Sequence, residues 1–189
     1  MIVVGLDLSL TMTGIACNHD ADPMGWLWRV RSKGTKADTL DERAQRLGNL
    51  AHRIIGDVTQ RLDAVPDLVV VEAPAFAQVS GSHHDRSGLW WLVVEPLCAL
   101  VCPVAEVPPT TLKKYATGKG NASKDEVLAA IIRRYPMCNP LDNNEADALA
   151  LMAMGLDHLG EPLADVPAVN RQALDAVHWP QVHRIEDVA

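Results

Sequence analysis

No stretch of the sequence is apolar for long enough to cross a bilayer. The nearest candidate, residues 89–107, is broken by Glu95, Pro96, Pro103 and Glu106, whereas a spanning helix needs about 20 apolar residues. The N-terminus, Met1-Ile2-Val3-Val4-Gly5-Leu6-Asp7, lacks the basic start of a secretory leader and reaches a carboxylate too soon. These absences predict a soluble, cytoplasmic protein with no membrane partner. Cysteine pairs are missing too: Cys17, Cys98, Cys102 and Cys138 form no C-x-x-C, and no histidine stands beside them at zinc-ligand spacing. They read as reduced core thiols, with Cys98 and Cys102 buried on one helix face. Internal repeats and low-complexity stretches are absent.

Net positive charge is also lacking, since 17 Lys and Arg stand against 24 Asp and Glu for a formal net of −7. That argues against a polyanionic partner until the charge is divided along the chain. Residues 136–189 hold nine acids against only Arg171 and Arg184, so they carry the whole imbalance and residues 1–135 are neutral. Within the neutral part, residues 110–135 contain Lys113, Lys114, Lys119, Lys124, Arg133 and Arg134 against Asp125 and Glu126, a local +4. A cleft attracts by its local charge, so nucleic acid stays open as a partner.

What is present is a change of period. Residues 1–8, 11–18 and 26–31 read as three strands joined by short turns, which favours antiparallel pairing. Residues 39–62 follow helical spacing through Leu40, Ala44, Leu47, Ala51, Ile54, Ile55 and Val58. The run Leu68-Val69-Val70-Val71-Glu72 after a helix reads as a strand buried on both faces, reached by a parallel crossover. The polar residues 77–88 read as a mobile loop, 89–101 as a helix kinked or restarted at Pro96, and 104–107 as a fifth strand. Helices are expected at 110–115, 123–135 and 142–158. Beyond these lies an acidic tail with Pro162, Pro167 and Pro180, a short helix near 169–177, and Trp179 as an anchor. The order β-β-β-α-β-α-β-α predicts an α/β fold whose mixed five-stranded sheet (three antiparallel strands, then two parallel) is flanked by helices.

In that topology Asp7 closes the central strand and Glu72 closes its parallel neighbour, so both carboxylates reach one rim of the sheet. Acids placed so close repel unless a cation neutralises them, and hard oxygen donors suit Mg²⁺ or Mn²⁺. Asp147 sits inside an apolar helix and needs a cation or a basic partner there. Asn144, at i−3, shares its face and offers a neutral oxygen. Asp142 and Glu145 fit a capping box. Lys113 and Lys124 bracket a Gly-containing turn, and Ser123 with Glu126 caps the helix that follows; such a unit suits phosphate oxygens but is no Walker A loop.

Four motifs in order, Gly5-Leu6-Asp7-Leu8-Ser9 with Thr13-Gly14, Val69-Val70-Val71-Glu72, Lys113 through Lys124, and Ala146-Asp147-Ala148-Leu149-Ala150, resemble the RuvC-type Holliday junction resolvases of the RNase H-like superfamily, in a short, divergent, phage-like form. The resemblance covers residues 1–158, which it makes the nuclease domain, with 159–189 as an extension. It implies a homodimeric crossover junction endodeoxyribonuclease that nicks paired strands of a four-way DNA junction with two Mg²⁺ or Mn²⁺ ions, leaving 5′-phosphate and 3′-hydroxyl ends. It implies Asp7, Glu72 and Asp147 as metal-binding carboxylates, Lys113 and Lys124 as catalytic basic residues that offset charge beside the scissile phosphate, and Lys114 and Lys119 as further DNA contacts. The family carries a fourth carboxylate where this chain has Asn144; Asn144, Asp142 or Glu145 is expected to supply that ligand. Phe76 lies near the family's junction-wedging aromatic, and the helix around Leu89 to Leu100 resembles its dimerisation helix, with plain core as the alternative. Three rivals stand beside this reading. One is an RNase H-like nuclease acting on RNA or forked DNA, and one is a branched-DNA-binding module without catalysis. The third, an actin-like or sugar-kinase ATPase, would need a second lobe that 189 residues do not provide.

Overall fold

Strands β1 (Val3–Asp7), β2 (Met12–Cys17) and β3 (Leu27–Arg31) form an antiparallel meander, and β4 (Leu68–Glu72) and β5 (Val104–Val107) extend the sheet in parallel beyond β1. The sheet order is β3-β2-β1-β4-β5, with β1 at the centre as its apolar sequence requires. The computed structural model describes residues 1–19, 22, 26–60, 62, 64–74 and 82–182. Among these, α1 (Leu40–Gln60) and α2 (His83–Ala99) follow β3 and β4, and α3 (Pro109–Thr117), α4 (Lys124–Arg134) and α5 (Asn143–His158) follow β5. A one-turn α6 (Ala168–Arg171) and a 3-10 turn (Leu174–Ala176) complete the described chain. None of the described helices is long and apolar enough to cross a membrane.

Alternation along the strands sends their side chains into two cores. Val4, Leu6, Ile15, Val69 and Val71 meet Leu50, Ile54 and Val58 of α1 and Leu89, Val93 and Leu97 of α2. Val3, Ala16, Leu68 and Val70 face α5 instead, in a core shared with α3 and α4. Residues beyond 158 belong to that second core, because Val166, Ala173 and Val177 are buried in it. Trp179 stacks on His158 with ring centroids 4.2 Å apart, and its indole N–H donates to the Leu174 carbonyl at 3.0 Å.

Two expectations change here. Helix α2 begins at His83, not near 89, so residues 83–88 are helical where a mobile loop is predicted. Its polar first turn is held by Asp85, which accepts from Arg43 Nη2 of α1 at 2.5 Å, a contact that local polarity does not reveal. The helix also runs through Pro96 to Ala99 and is capped by Leu100, after which Val101 takes a left-handed φ of 59°. That turn breaks the four-residue spacing, so Cys102 is buried while Cys98 is exposed.

Candidate active site

The register places the two strand-end acids level with one another. Leu6 pairs with Val71 across the parallel β1–β4 ladder, so Asp7 and Glu72 are the next residues on each strand and project from the same face. Neighbouring strands lie about 4.8 Å apart. The row continues into the antiparallel side, where Asp7 opposes Gly14 and Gly14 opposes Arg29. One line across the sheet thus reads Glu72, Asp7, Gly14, Arg29. The end of β4 is pinned by Trp90, whose indole N–H donates to the Glu72 carbonyl at 3.1 Å, and by the Ala73 N–H donating to the Val107 carbonyl at 2.8 Å.

Helix α5 lies directly on this row, and two glycines allow it to. A Cβ at Gly5 would fall 2.1 Å from the Ala148 carbonyl oxygen, and one at Gly14 would fall 2.1 Å from that of Asn144. Any side chain at either position would lift the helix off the sheet, since real Cβ atoms do not approach backbone so closely. Alanines on α5 complete the fit. The sequence signal of the first motif is therefore as much steric as chemical.

The N-terminus of α5 is fastened to the same row by Arg29. Its Nη1 donates to Asp142 Oδ2 at 2.6 Å, and its Nε lies 3.0 Å from Glu145 Oε1. Asp142 also caps the helix by accepting from the Glu145 N–H at 3.0 Å. The expected reciprocal cap is displaced by one residue: Glu145 Oε2 accepts from the Leu141 N–H at 2.7 Å. Both acids are thereby engaged with Arg29 and with the start of α5. Sequence reasoning missed Arg29; its place opposite Gly14 emerges only from strand register.

Asp7, Glu72 and Asp147 behave differently. Asp7 is buried, Glu72 and Asp147 are half-buried, and none of the three carboxylates has a hydrogen bond or ion pair with a described residue. Burial, reinforced by Glu72 and Asp147, pushes the Asp7 carboxyl well above the ordinary carboxylate range. Burial and the Asp147 charge push Glu72 up to about 7. Burial pushes Asp147 up to about 6. Each is pulled back by Lys124, and Glu72 and Asp147 also by Lys113. Three acids from β1, β4 and α5 thus share one field with two lysines. The cluster is open: among the described residues no three His, Cys, Asp or Glu side chains stand close enough to hold one ion.

Local structure presents the lysines. Helix α3 ends at Gly118 in a left-handed conformation, its N–H donating to the Lys114 carbonyl at 2.8 Å. Helix α4 starts in a full capping box, with the Ser123 N–H donating to Glu126 Oε2 at 2.7 Å and Ser123 Oγ accepting from the Glu126 N–H at 3.2 Å. This puts Lys124 at the first turn of α4 and Lys113 on α3, both acting on the acids without touching them. No comparable tie is seen for Lys114 or Lys119. Asn144 lies one turn before Asp147, its carbonyl over Gly14. Phe76 falls outside the described residues.

A parallel–antiparallel sheet with an acid-bearing helix laid across its centre is the RNase H-like class of fold. It is similar to the structure of Thermus thermophilus RuvC in complex with Holliday junction substrate, with a TM-score of 0.61 and 21% identity over 88% of this chain and 99% of that one. No protein-family model matches the sequence. Among curated proteins it is 38% identical over 158 residues to the crossover junction endodeoxyribonuclease RuvC of Parasynechococcus marenigrum (strain WH8102), covering 82% of this chain and 97% of that protein. The RuvC of Synechococcus sp. (strain CC9605) is 33% identical over 153 residues, covering 80% and 95%. The chain belongs to the RuvC family.

Proposed function

We propose that this protein is a divalent-metal-dependent endonuclease that resolves four-way DNA junctions by paired nicks, leaving 5′-phosphate and 3′-hydroxyl ends. One observation carries this reading: three desolvated carboxylates from β1, β4 and α5 converge on one sheet rim opposite Lys113 and Lys124, in a chain of the RuvC family. The donor set fits Mg²⁺ or Mn²⁺, because all-oxygen, anionic ligands suit hard cations and the acids have no other partner. Asp7, Glu72 and Asp147 would hold two ions, with Asn144 as a neutral donor beside Asp147. Bound ions supply an activated water and neutralise charge on the phosphate.

The remaining work falls to the chain's own cations. Lys124 and Lys113 face the acids across a gap and offset charge on the phosphate's equatorial oxygens. Lys114 and Lys119 extend the same basic unit along the strand. Paired nicks require two sites, and the exposed face of α2, with Trp91, Leu92 and Leu100 uncovered, fits a second copy of the chain. A rival reading, a branched-DNA-binding module without catalysis, rests on Asn144 in place of the family's fourth carboxylate and on the acidic tail. A panel of four-way junction, fork, linear duplex and RNA–DNA hybrid, each with Mg²⁺ or Mn²⁺, separates the readings. Symmetric nicks on the junction support resolution. Preferred cleavage of the hybrid or fork redirects it, and junction binding without cleavage in either metal establishes the rival.

A further inference from the structure

A second cationic surface lies on the far side of the site from Lys113 and Lys124. From Arg29 to Ala37 the chain carries four cations and no acid, and the stretch ends on Asp38, whose carboxylate accepts from the Thr35 N–H at 2.9 Å and lies in the field of Arg46 and Arg43. Arg29 is consumed by Asp142 and Glu145. Arg31, Lys33 and Lys36 are exposed, and none forms an ion pair with a described residue. The segment leaves β3 on the rim that carries the acids. Arg31 opposes Met12, two residues beyond the Asp7–Gly14–Arg29 row, and the Ser32 N–H donates to the Thr11 carbonyl at 2.9 Å, tying it to the β1–β2 turn. Two strand spacings and two residues of rise place Arg31 roughly 12 Å from Asp7. That span equals about three to four base pairs of duplex at 3.4 Å per step.

A cleft adjoins the segment. It encloses about 290 Å³ between the end of β3 and α1 and is lined by Ser32, Glu42, Gln45, Arg46, Asn49 and Arg53. Glu42 Oε2 accepts from both the N–H and the hydroxyl of Thr39 at 2.8 Å, which holds its carboxylate ionised, so this one anion stands against Arg46 and Arg53 in the cleft. Arg46 lies against Gly34, where a Cβ would overlap its guanidinium; its Nη2 stands 4.0 Å from Asp85 Oδ2, while its buried Nε has no hydrogen-bond partner. Arg53 Nη1 donates to the Arg31 carbonyl at 2.9 Å, so α1 braces the segment from below. A buried guanidinium N–H without an acceptor, beside exposed cations, is a place for an anionic oxygen.

We infer that the β3–α1 edge is a second DNA contact, in which Arg31, Lys33 and Lys36, with Arg46 and Arg53 in the cleft, hold the phosphate backbone of a duplex arm next to the scissile strand. The inference rests on the proposed nuclease reading and adds a surface to it: the substrate lies across the rim between two basic flanks. The double variant Lys33→Gln/Lys36→Gln tests it, since both side chains are exposed and hold nothing in the fold. Fluorescence anisotropy on a labelled four-way junction, in EDTA so that no strand is cut, is followed across a salt series. Loss of two phosphate contacts should weaken binding roughly tenfold near 0.1 M salt and reduce the slope of log affinity against log salt by about 2. Lys33→Arg/Lys36→Arg should keep both. Unchanged affinity and slope in the Gln variant overturn the inference, as does weaker binding with an unchanged slope. A wild-type chain that neither binds nor cuts branched DNA overturns the nuclease reading itself. A wild-type chain that does both, matched by the Gln variant, overturns only the second contact.

Discussion

The two faces of the sheet are built on opposite principles. Toward α1 and α2 the strands offer Val4, Leu6, Ile15, Val69 and Val71, bulky side chains that keep the helices at ordinary distance and bury apolar surface. Toward α5 the same strands offer Gly5 and Gly14 at the points of contact, and the helix answers with Ala146, Ala148, Ala150 and Gly155. The first face gains stability from volume. The second gives up volume so that a helix carrying Asp147 can lie within the field of Asp7 and Glu72. Close approach of backbone is what the site requires, and small residues are how the sequence encodes it.

The sharpest way to break this contrast is chemical. Asp7→Asn should reduce junction cleavage by about a thousandfold or more while leaving junction binding intact or tighter, because a negative charge is removed from the path of the phosphate. Strand-mapped cleavage and anisotropy read the two effects separately. Next comes sterics: Gly14→Val should displace α5 and abolish cleavage, whereas Val71→Ala on the opposite face should lose about 2 kcal/mol of stability yet retain cleavage below its melting temperature. If both variants lose cleavage in proportion to stability, the two faces do not differ as described. Smaller in effect, Arg29→Met should lower the cleavage rate of bound junction about tenfold with little change in affinity, since it frees Asp142 and Glu145 and loosens the start of α5. A change in affinity alone would place Arg29 in DNA binding instead.

A pH titration refines the same comparison. Carboxyls whose folded pKa is raised bind more protons in the folded than in the unfolded chain, so their contribution to stability falls as pH rises. For Asp147 and Glu72 the window runs from the ordinary values of 3.8 and 4.5 up to about 6 and 7. Metal-free protein should therefore lose a few kcal/mol of stability through this cluster between about pH 4 and pH 7, less than the full shifts imply because both groups are half-exposed and screened. Mg²⁺ should restore that stability above pH 7, and a metal-independent melting temperature there would contradict the assignment of the acids as ligands.

Much of this was legible before any coordinates. The three leading strands, the parallel crossover and the central place of β1 follow from period and connection length, and with them the meeting of Asp7 and Glu72. The role of Gly5 and Gly14 was not legible, because a glycine in a strand signals close approach without saying by what. Arg29 was hidden by register: its partners lie 113 and 116 residues away. The start of α2 was misread because Asp85 is satisfied by Arg43 of α1, a tertiary contact that overrides local polarity. Cys98 was misplaced because the helix ends before Cys102, at a left-handed Val101.

The central claim is that acids at positions 7, 72 and 147 jointly bind divalent cations on one rim. Mn²⁺ titration of the purified chain, followed by electron paramagnetic resonance, tests it without recourse to activity. Saturable binding by the wild type, lost or severely weakened in Asp7→Asn, Glu72→Gln and Asp147→Asn alike, is the predicted result. Binding that survives all three substitutions, or a wild type that takes up no Mn²⁺ at millimolar concentration, would contradict it.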